Sequence, residues 1–172
     1  MNSGKLFFAA AIIATFASDF AHARAVLDQS STSTTSYTAV GTDLDSTPGD
    51  RAQTFVVGIT GQLTSVEVNA GFFSPPAFPL VLDVRPTDAT GRPLADNASV
   101  LALATIGSAD FTNNTFVPFD LSSANLHVDA GDEFAIVLRS MAIPSIFYRW
   151  NGNASDPYPA GAVYFRDGFS SS

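Results

Sequence analysis

The chain has 172 residues, 46% of them hydrophobic, and sets 8 basic against 16 acidic side chains with no cysteine. That length fits one domain with a core of useful size, since a domain near 150 residues buries about 70% of the surface its unfolded chain exposes. A net charge of −8 argues against nucleic acid or an anionic membrane as partner, because both need a basic surface to replace counterions. The missing cysteines exclude a disulfide framework, a thiolate zinc site and a cysteine nucleophile.

Residues 1–23 read as an export signal. Lys5 is followed by an apolar run from Leu6 to Ala17, a polar break at Ser18-Asp19, and then Ala21-His22-Ala23, with small residues at the two positions a signal peptidase inspects. The run is shorter than the ~20 residues of a spanning helix. A buried N-terminal helix is the duller alternative, but charge, run and cleavage motif stand in the order of a leader. No second apolar run of spanning length follows, so the mature chain is expected to carry no transmembrane segment. Cleavage after Ala23 leaves residues 24–172 and implies a secreted, cell-surface or periplasmic protein.

In the mature part every basic residue is an arginine (24, 51, 85, 92, 139, 149 and 166), faced by thirteen aspartates and two glutamates. Aspartate suits turns, whereas glutamate and lysine form helices, so long surface helices are not expected. A first strand is expected at Ala25-Val26-Leu27. Residues 24–50 otherwise read as a Ser/Thr-rich, loosely ordered connection from Gln29 to Thr47, ahead of a sandwich body over residues 51–172.

In that body short β-type runs recur in chain order: Gln53–Val57, Leu63–Ala70, Leu80–Arg85, Val100–Ile106, Thr115–Phe119, Glu133–Leu138, Ile146–Trp150 and Ala162–Phe165. Several alternate with period two, as half-buried strands do. Thr64, Val66, Val68 and Ala70 would face the core, away from Leu63, Ser65, Glu67 and Asn69. Leu80, Leu82 and Val84 oppose Val81, Asp83 and Arg85. Turns are expected at Thr60-Gly61, Thr90-Gly91-Arg92-Pro93, Asp129-Ala130-Gly131-Asp132 and Asn151-Gly152, where glycine supplies positive φ at little steric cost. Short strands, Gly/Pro turns and no helical crossovers predict an all-β, antiparallel, jelly-roll-like β-sandwich.

Ala52–Gly58, Gly61–Val66, Phe116–Leu121, Leu126–Leu138, Tyr148–Gly152 and Tyr158–Gly161 together resemble a group of secreted bacterial β-sandwich domains that often precede a sorting or anchoring tail of the PEP-CTERM or choice-of-anchor type. The resemblance covers roughly Gln53 to Asp167 and implies the sandwich fold, with no catalytic motif to transfer. Similar domains run on into another strand and an anchor, whereas this sequence stops at Gly168-Phe169-Ser170-Ser171-Ser172. The expectation is a sandwich lacking its last strand, or a fragment, with an open edge that invites association.

Catalytic chemistry is poorly provided for. After export His127 is the only histidine, no Gly-x-Ser-x-Gly elbow is present, and a surface-strand role suits His127 better than a triad or a zinc site. Two carboxylates would suffice for a glycosidase, but spacing cannot show which two face each other; Glu67 and Glu133 both fall on expected strands. The chain is therefore read as no enzyme and as needing no cofactor. Structural calcium is a weak candidate: Asp43, Asp45 and Asp50 put three hard oxygen donors in one loop. That loop has Pro48 where an EF-hand needs glycine and Thr54 where it needs glutamate, so a solvated acidic turn is preferred.

Aromatic residues carry the remaining functional signal. Phe147, Tyr148, Trp150, Tyr158, Tyr164 and Phe165 crowd the last third among Arg149, Asn151, Asn153, Asp156 and Arg166. Tyr148, Trp150, Asn151, Asp156 and Tyr158 form the candidate ligand site, with aromatic faces for sugar rings and polar tips for hydroxyls. Alternation places Tyr148 and Trp150 on one face and Phe147, Arg149 and Asn151 on the other, so the opposing reading makes Trp150 a core anchor. The segment Phe72–Pro79 reads either as an exposed apolar binding loop or as a cover over a sandwich edge. The reading is an architectural surface or matrix protein contacting other surface proteins; the alternative is a carbohydrate-binding module for extracellular polysaccharide, and a second alternative is a glycoside-active enzyme. Expression with the leader in a Gram-negative host is expected to yield a product beginning near Arg24 by N-terminal sequencing; a cytosolic product retaining Met1 would contradict export.

Overall fold

The computed structural model describes residues 26–28, 36–42, 48–141, 146–152 and 161–165. These hold the strands β1 (Ser36–Thr42), β2 (Pro48–Gly49), β3 (Arg51–Val56), β4 (Gly61–Gln62), β5 (Ser65–Phe72) and β6 (Leu80–Pro86). They continue with β7 (Ala102–Ile106), β8 (Thr115–Asp120), β9 (His127–Val128), β10 (Glu133–Arg139), β11 (Tyr148–Gly152) and β12 (Val163–Phe165), plus two single-turn 3-10 helices. No helix among the described residues is long and apolar enough to cross a membrane.

Two five-stranded antiparallel sheets pack face to face, in the orders β2-β1-β11-β5-β8 and β12-β3-β10-β6-β7, while β4 and β9 form a small ribbon. The pairing is nested. β1 meets β11, β3 meets β10, β5 meets β8, and β6 meets β7. A long hairpin of eight strands wound into two layers gives this order, which is the jelly roll. Pro118 fits because β8 is an edge strand, where a missing N–H breaks no ladder.

The inner faces follow the period-two pattern. Leu80, Leu82 and Val84 of β6, Leu138 of β10 and Ala102 of β7 meet Val68 and Ala70 of β5, Val117 and Phe119 of β8, Val40 of β1 and Tyr148 of β11. Burying each large apolar side chain contributes about 1.5–3 kcal/mol relative to exposure. Burial pushes the Tyr148 phenol above its ordinary pKa, and its hydroxyl donates to the Phe78 carbonyl at 2.9 Å.

Three expectations need correction. Val26 and Leu27 are not in a strand and are exposed; Asp28 instead accepts a hydrogen bond from the Gly58 amide. The Ser/Thr-rich stretch is not merely a connection, because its Ser36–Thr42 portion is β1, paired with β11 from Ser36↔Gly152 to Val40↔Tyr148. Aromatic and β-branched residues there suit a pleated surface whatever their hydroxyl content. Asn151-Gly152 is no turn but the end of β11, held by that same pairing. The expected loss of a last strand concerns residues after Phe165, outside the described ones.

The outer face of the β3/β10/β6 sheet is closed by the segment between β6 and β7. Thr87 bridges to Pro93, the Leu94 amide donates to the Pro86 carbonyl, and Arg85 Nη1 donates to the carbonyls of Leu94, Ala95 and Asp96 at 3.0–3.1 Å. Beneath it Asp83, 0% exposed, accepts from Arg85 Nη2 at 2.8 Å and from Arg139 Nε at 2.8 Å and Nη2 at 3.2 Å. The Asp83 hydrogen bonds hold the Arg139 guanidinium above its ordinary pKa, and Asp50 adds to this. Removing one partner from a buried ion pair typically costs 3–5 kcal/mol, since the other charge stays buried and uncompensated. Asp83→Ala is therefore expected to lower unfolding free energy by about 3–5 kcal/mol in urea titrations; a loss under ~1 kcal/mol would contradict this account.

Candidate functional site

Among the described residues nothing covers the outer face of the other sheet, and β11 furnishes its centre. With Tyr148 turned into the core, the residues flanking it, Phe147 and Arg149, and then Asn151 point outward. Pairing sets Arg149 between Ala39 of β1 and Gly71 of β5, and Asn151 beside Tyr37. On β5 the outward residues are Gly71, Asn69 and Glu67, with Phe116 and Pro118 of β8 next to Asn69 and Glu67.

Exposed aromatic rings border this strip. Phe73, just past β5, is 68% exposed, Tyr37 51% and Phe116 41%. The Tyr37 and Phe73 rings meet edge-on, 6.0 Å apart at 78°, and Phe73 meets Phe147 at 6.3 Å and 90°, both within the range aromatic pairs favour. The Arg149 guanidinium lies 4.2 Å from the Phe73 ring centroid and 5.4 Å from that of Tyr37. Such cation–π contacts contribute about 0.5–2 kcal/mol, more as the site dries.

A network of amides fixes the floor. Arg149 Nη2 donates to Asn114 Oδ1 at 2.7 Å and to the Phe72 carbonyl at 3.3 Å. Asn151 Nδ2 donates to Asn69 Oδ1 at 2.8 Å and weakly to Asn114 Oδ1 at 3.4 Å. Asn113 acts as a partner strand to Phe72: its Oδ1 accepts from the Phe72 amide at 2.8 Å and its Nδ2 donates to the Phe72 carbonyl at 2.9 Å. Asn114 has φ +60°, a conformation asparagine tolerates better than most residues. Gly71 leaves room for these tips, since a Cβ there would displace Asn114 Oδ1 and Asn113 Oδ1.

The sequence candidates divide accordingly. Tyr148, 0% exposed, is core, and its ring is closed to any ligand; the site proposed around it is corrected on that point. Trp150 is half-buried, packs against the core and pairs with Thr38 and Ala70, so it too belongs to the inner face. Asn151 stands on the open face. Asp156 and Tyr158 lie outside the described residues, as do Asp43 and Asp45 of the calcium loop. Asp50 is half-buried and its charge acts on Arg139. Among the described residues no three His, Asp or Glu side chains gather to hold a metal ion.

His127 is exposed on β9, its Nε2 3.8 Å from the equally exposed Asp129. Glu67 and Glu133 sit on the outer faces of opposite sheets, with the sandwich between them. Glu133 instead borders a shallow groove with Thr54, Thr90, Gly91, Gly161, Ala162 and Tyr164. Beside it the Thr90 hydroxyl, with the Arg92 and Thr90 amides, holds the Asp88 carboxyl below its ordinary pKa.

Sequence reasoning passed over Tyr37, Asn113, Asn114 and Phe116. The adjacent asparagines in Thr112-Asn113-Asn114-Thr115 were the usable signal, since Asn marks turns whose side chains bond nearby backbone. The chain matches no family model, and no curated protein or solved structure is significantly similar to it.

The two faces of β11 predict opposite responses. Trp150→Ala is expected to destabilise by about 3 kcal/mol, the lower end for a large aromatic packed on a core. Tyr37→Ala should stay within roughly 1 kcal/mol, being exposed and anchored mainly by a cation–π contact. Differential scanning calorimetry of both variants checks the order; equal losses would contradict the assignment of faces.

Proposed function

We propose that this chain is an exported, non-catalytic module that binds extracellular polysaccharide on the outer face of the β1/β11/β5/β8 sheet, as part of a cell-surface or matrix layer. The observation that carries this reading is the juxtaposition of exposed Tyr37 and Phe73 rings with an ordered strip of Asn69, Asn114, Asn151 and Arg149. Sugar rings have apolar C–H faces that stack on aromatic rings and hydroxyl edges that need fixed donors and acceptors. Asn69 Nδ2, Asn114 Nδ2 and Asn151 Oδ1 take no partner in the network among the described residues, and an amide offers both two donors and an acceptor.

Rigidity supports the reading. The floor residues sit on paired strands or are clamped to them by side-chain hydrogen bonds, so little conformational freedom is lost on binding. The non-catalytic part rests on the absence of a recognisable catalytic motif in the sequence; the two glutamates, on opposite faces, share no cleft across which a glycosidic bond could be cut. Export rests on the leader, and the surface-layer setting on the resemblance to choice-of-anchor domains. In the second reading, a purely architectural role, the same aromatic strip is only a contact surface for neighbouring proteins.

Affinity electrophoresis of residues 24–172 through gels containing a panel of bacterial and plant polysaccharides separates the two. Retardation by at least one polymer is expected, with the retardation lost in Phe73→Ala and Tyr37→Ala while their melting temperatures stay near wild type. Retention of the wild type by no polymer would reject glycan binding and leave the architectural role.

A further inference from the structure

The open face carries one charge whose setting narrows the ligand further. Arg149 is the only basic residue on that face among the described residues, and no carboxylate of the described residues lies within ion-pair distance of it. Arg85 and Arg139, by contrast, share Asp83. What Arg149 does touch is neutral: a backbone carbonyl, an asparagine oxygen and the faces of two aromatic rings. Its Nε is enclosed and makes no hydrogen bond, so the cation is under-solvated on its inner side. An under-solvated charge attracts an incoming anion more strongly than a fully hydrated one, because the effective dielectric around it is lower.

The described acids of the same face stand well away. Glu67 lies four residues along β5 from Gly71, the neighbour of Arg149, a separation of about 13 Å at 3.3 Å per residue. Asp120, paired with Ser65 two residues further on, is occupied by the amide of Ser122. At ~0.15 M salt, where the screening length is about 8 Å, neither of these two acids acts strongly at the guanidinium.

We infer that the open face selects acidic polysaccharide, with Arg149 receiving the carboxylate of a uronic-acid residue whose ring stacks beside Tyr37 or Phe73 and whose hydroxyls meet the asparagines. The inference rests on the glycan-binding reading above and adds the class of sugar. A guanidinium matches a carboxylate in planar, two-pronged geometry, whereas a neutral hexose would leave the cation unpaired. Sulfated sugars bring charge without that planar match.

The test uses the mature chain and isothermal titration calorimetry at ~0.15 M salt. Its probes are polygalacturonate, alginate and glucuronan, each beside its carboxyl-reduced counterpart, with dextran sulfate as a non-carboxylate polyanion. At least one uronate polymer should bind about tenfold or more tighter than its reduced form and than dextran sulfate. Arg149→Gln should erase the preference by weakening the acidic polymer alone, and Arg149→Lys should restore only part of it. The Gln variant's melting temperature confirms that it folds, and the reduced polymers make the comparison on unaltered protein as well. Equal binding of acidic and reduced polymers, or equal binding of dextran sulfate, overturns the uronate inference and leaves glycan binding standing. Binding of none of them overturns the uronate inference, while glycan binding itself stands or falls with the gel panel above.

Discussion

Strand β11 imposes the constraint on which the rest depends. Its side chains must alternate, so seating Tyr148 and Trp150 against the core obliges Phe147, Arg149 and Asn151 to face outward. A one-residue slip would send an arginine into the interior and two large aromatics into water, at a cost of several kcal/mol on each side. Because β11 is the eighth strand of the roll and pairs with β1 on one side and β5 on the other, the register that protects the core also fixes the open face. Stability and the candidate site are two readings of one pattern.

The outer faces of the two sheets solve the same problem differently. Over β3, β10 and β6 the small residues Ala52, Ala135 and Val137 are buried, and a loop pinned by Arg85 closes over Asp83. There charge serves attachment: a buried aspartate held by two guanidinium groups leaves little for a ligand to find. Over β1, β11 and β5 no such loop is seen among the described residues. Asn113 and Asn114 reach only as far as Gly71, and Arg149 is held by aromatic rings and neutral oxygens, with no carboxylate of the described residues paired to it. An arginine so placed stabilises the surface through packing and cation–π attraction while its charge remains available.

This contrast also explains why aromatic abundance alone misdirects. Of the rings crowding the last third of the chain, Tyr148 and Trp150 sit in or against the core, whereas the exposed ones that matter come from distant segments: Tyr37 from β1, Phe73 from the end of β5, Phe116 from β8. Ring contacts at 6.0–6.3 Å join residues far apart in sequence. The cluster exists only because the roll brings its first, third and last strands side by side.

Alternation by itself determined the strands of the sandwich body and most of their faces; Thr64, expected inward, is exposed, and Leu63, expected outward, packs on the core. Val66, Val68 and Ala70, and Leu80, Leu82 and Val84, read inward from alternation alone because period two is a local property of extended backbone. The exterior placement of Arg149 and Asn151 followed from the same rule, whereas the edge position of the proline-bearing β8 is seen only in the sheet order. Tertiary structure decided what depends on partners. Ser36–Thr42 is a strand because β11 pairs with it, although its Ser/Thr content resembles a loop; Asn151-Gly152 extends a ladder instead of turning for the same reason. Asp83 and Arg85 are buried because the segment after β6 folds back over their face and Arg139 of β10 joins them there, and among the described residues no segment covers Arg149. Alternation assigns a side chain to a face, but what lies above that face is set by contacts between residues distant along the chain.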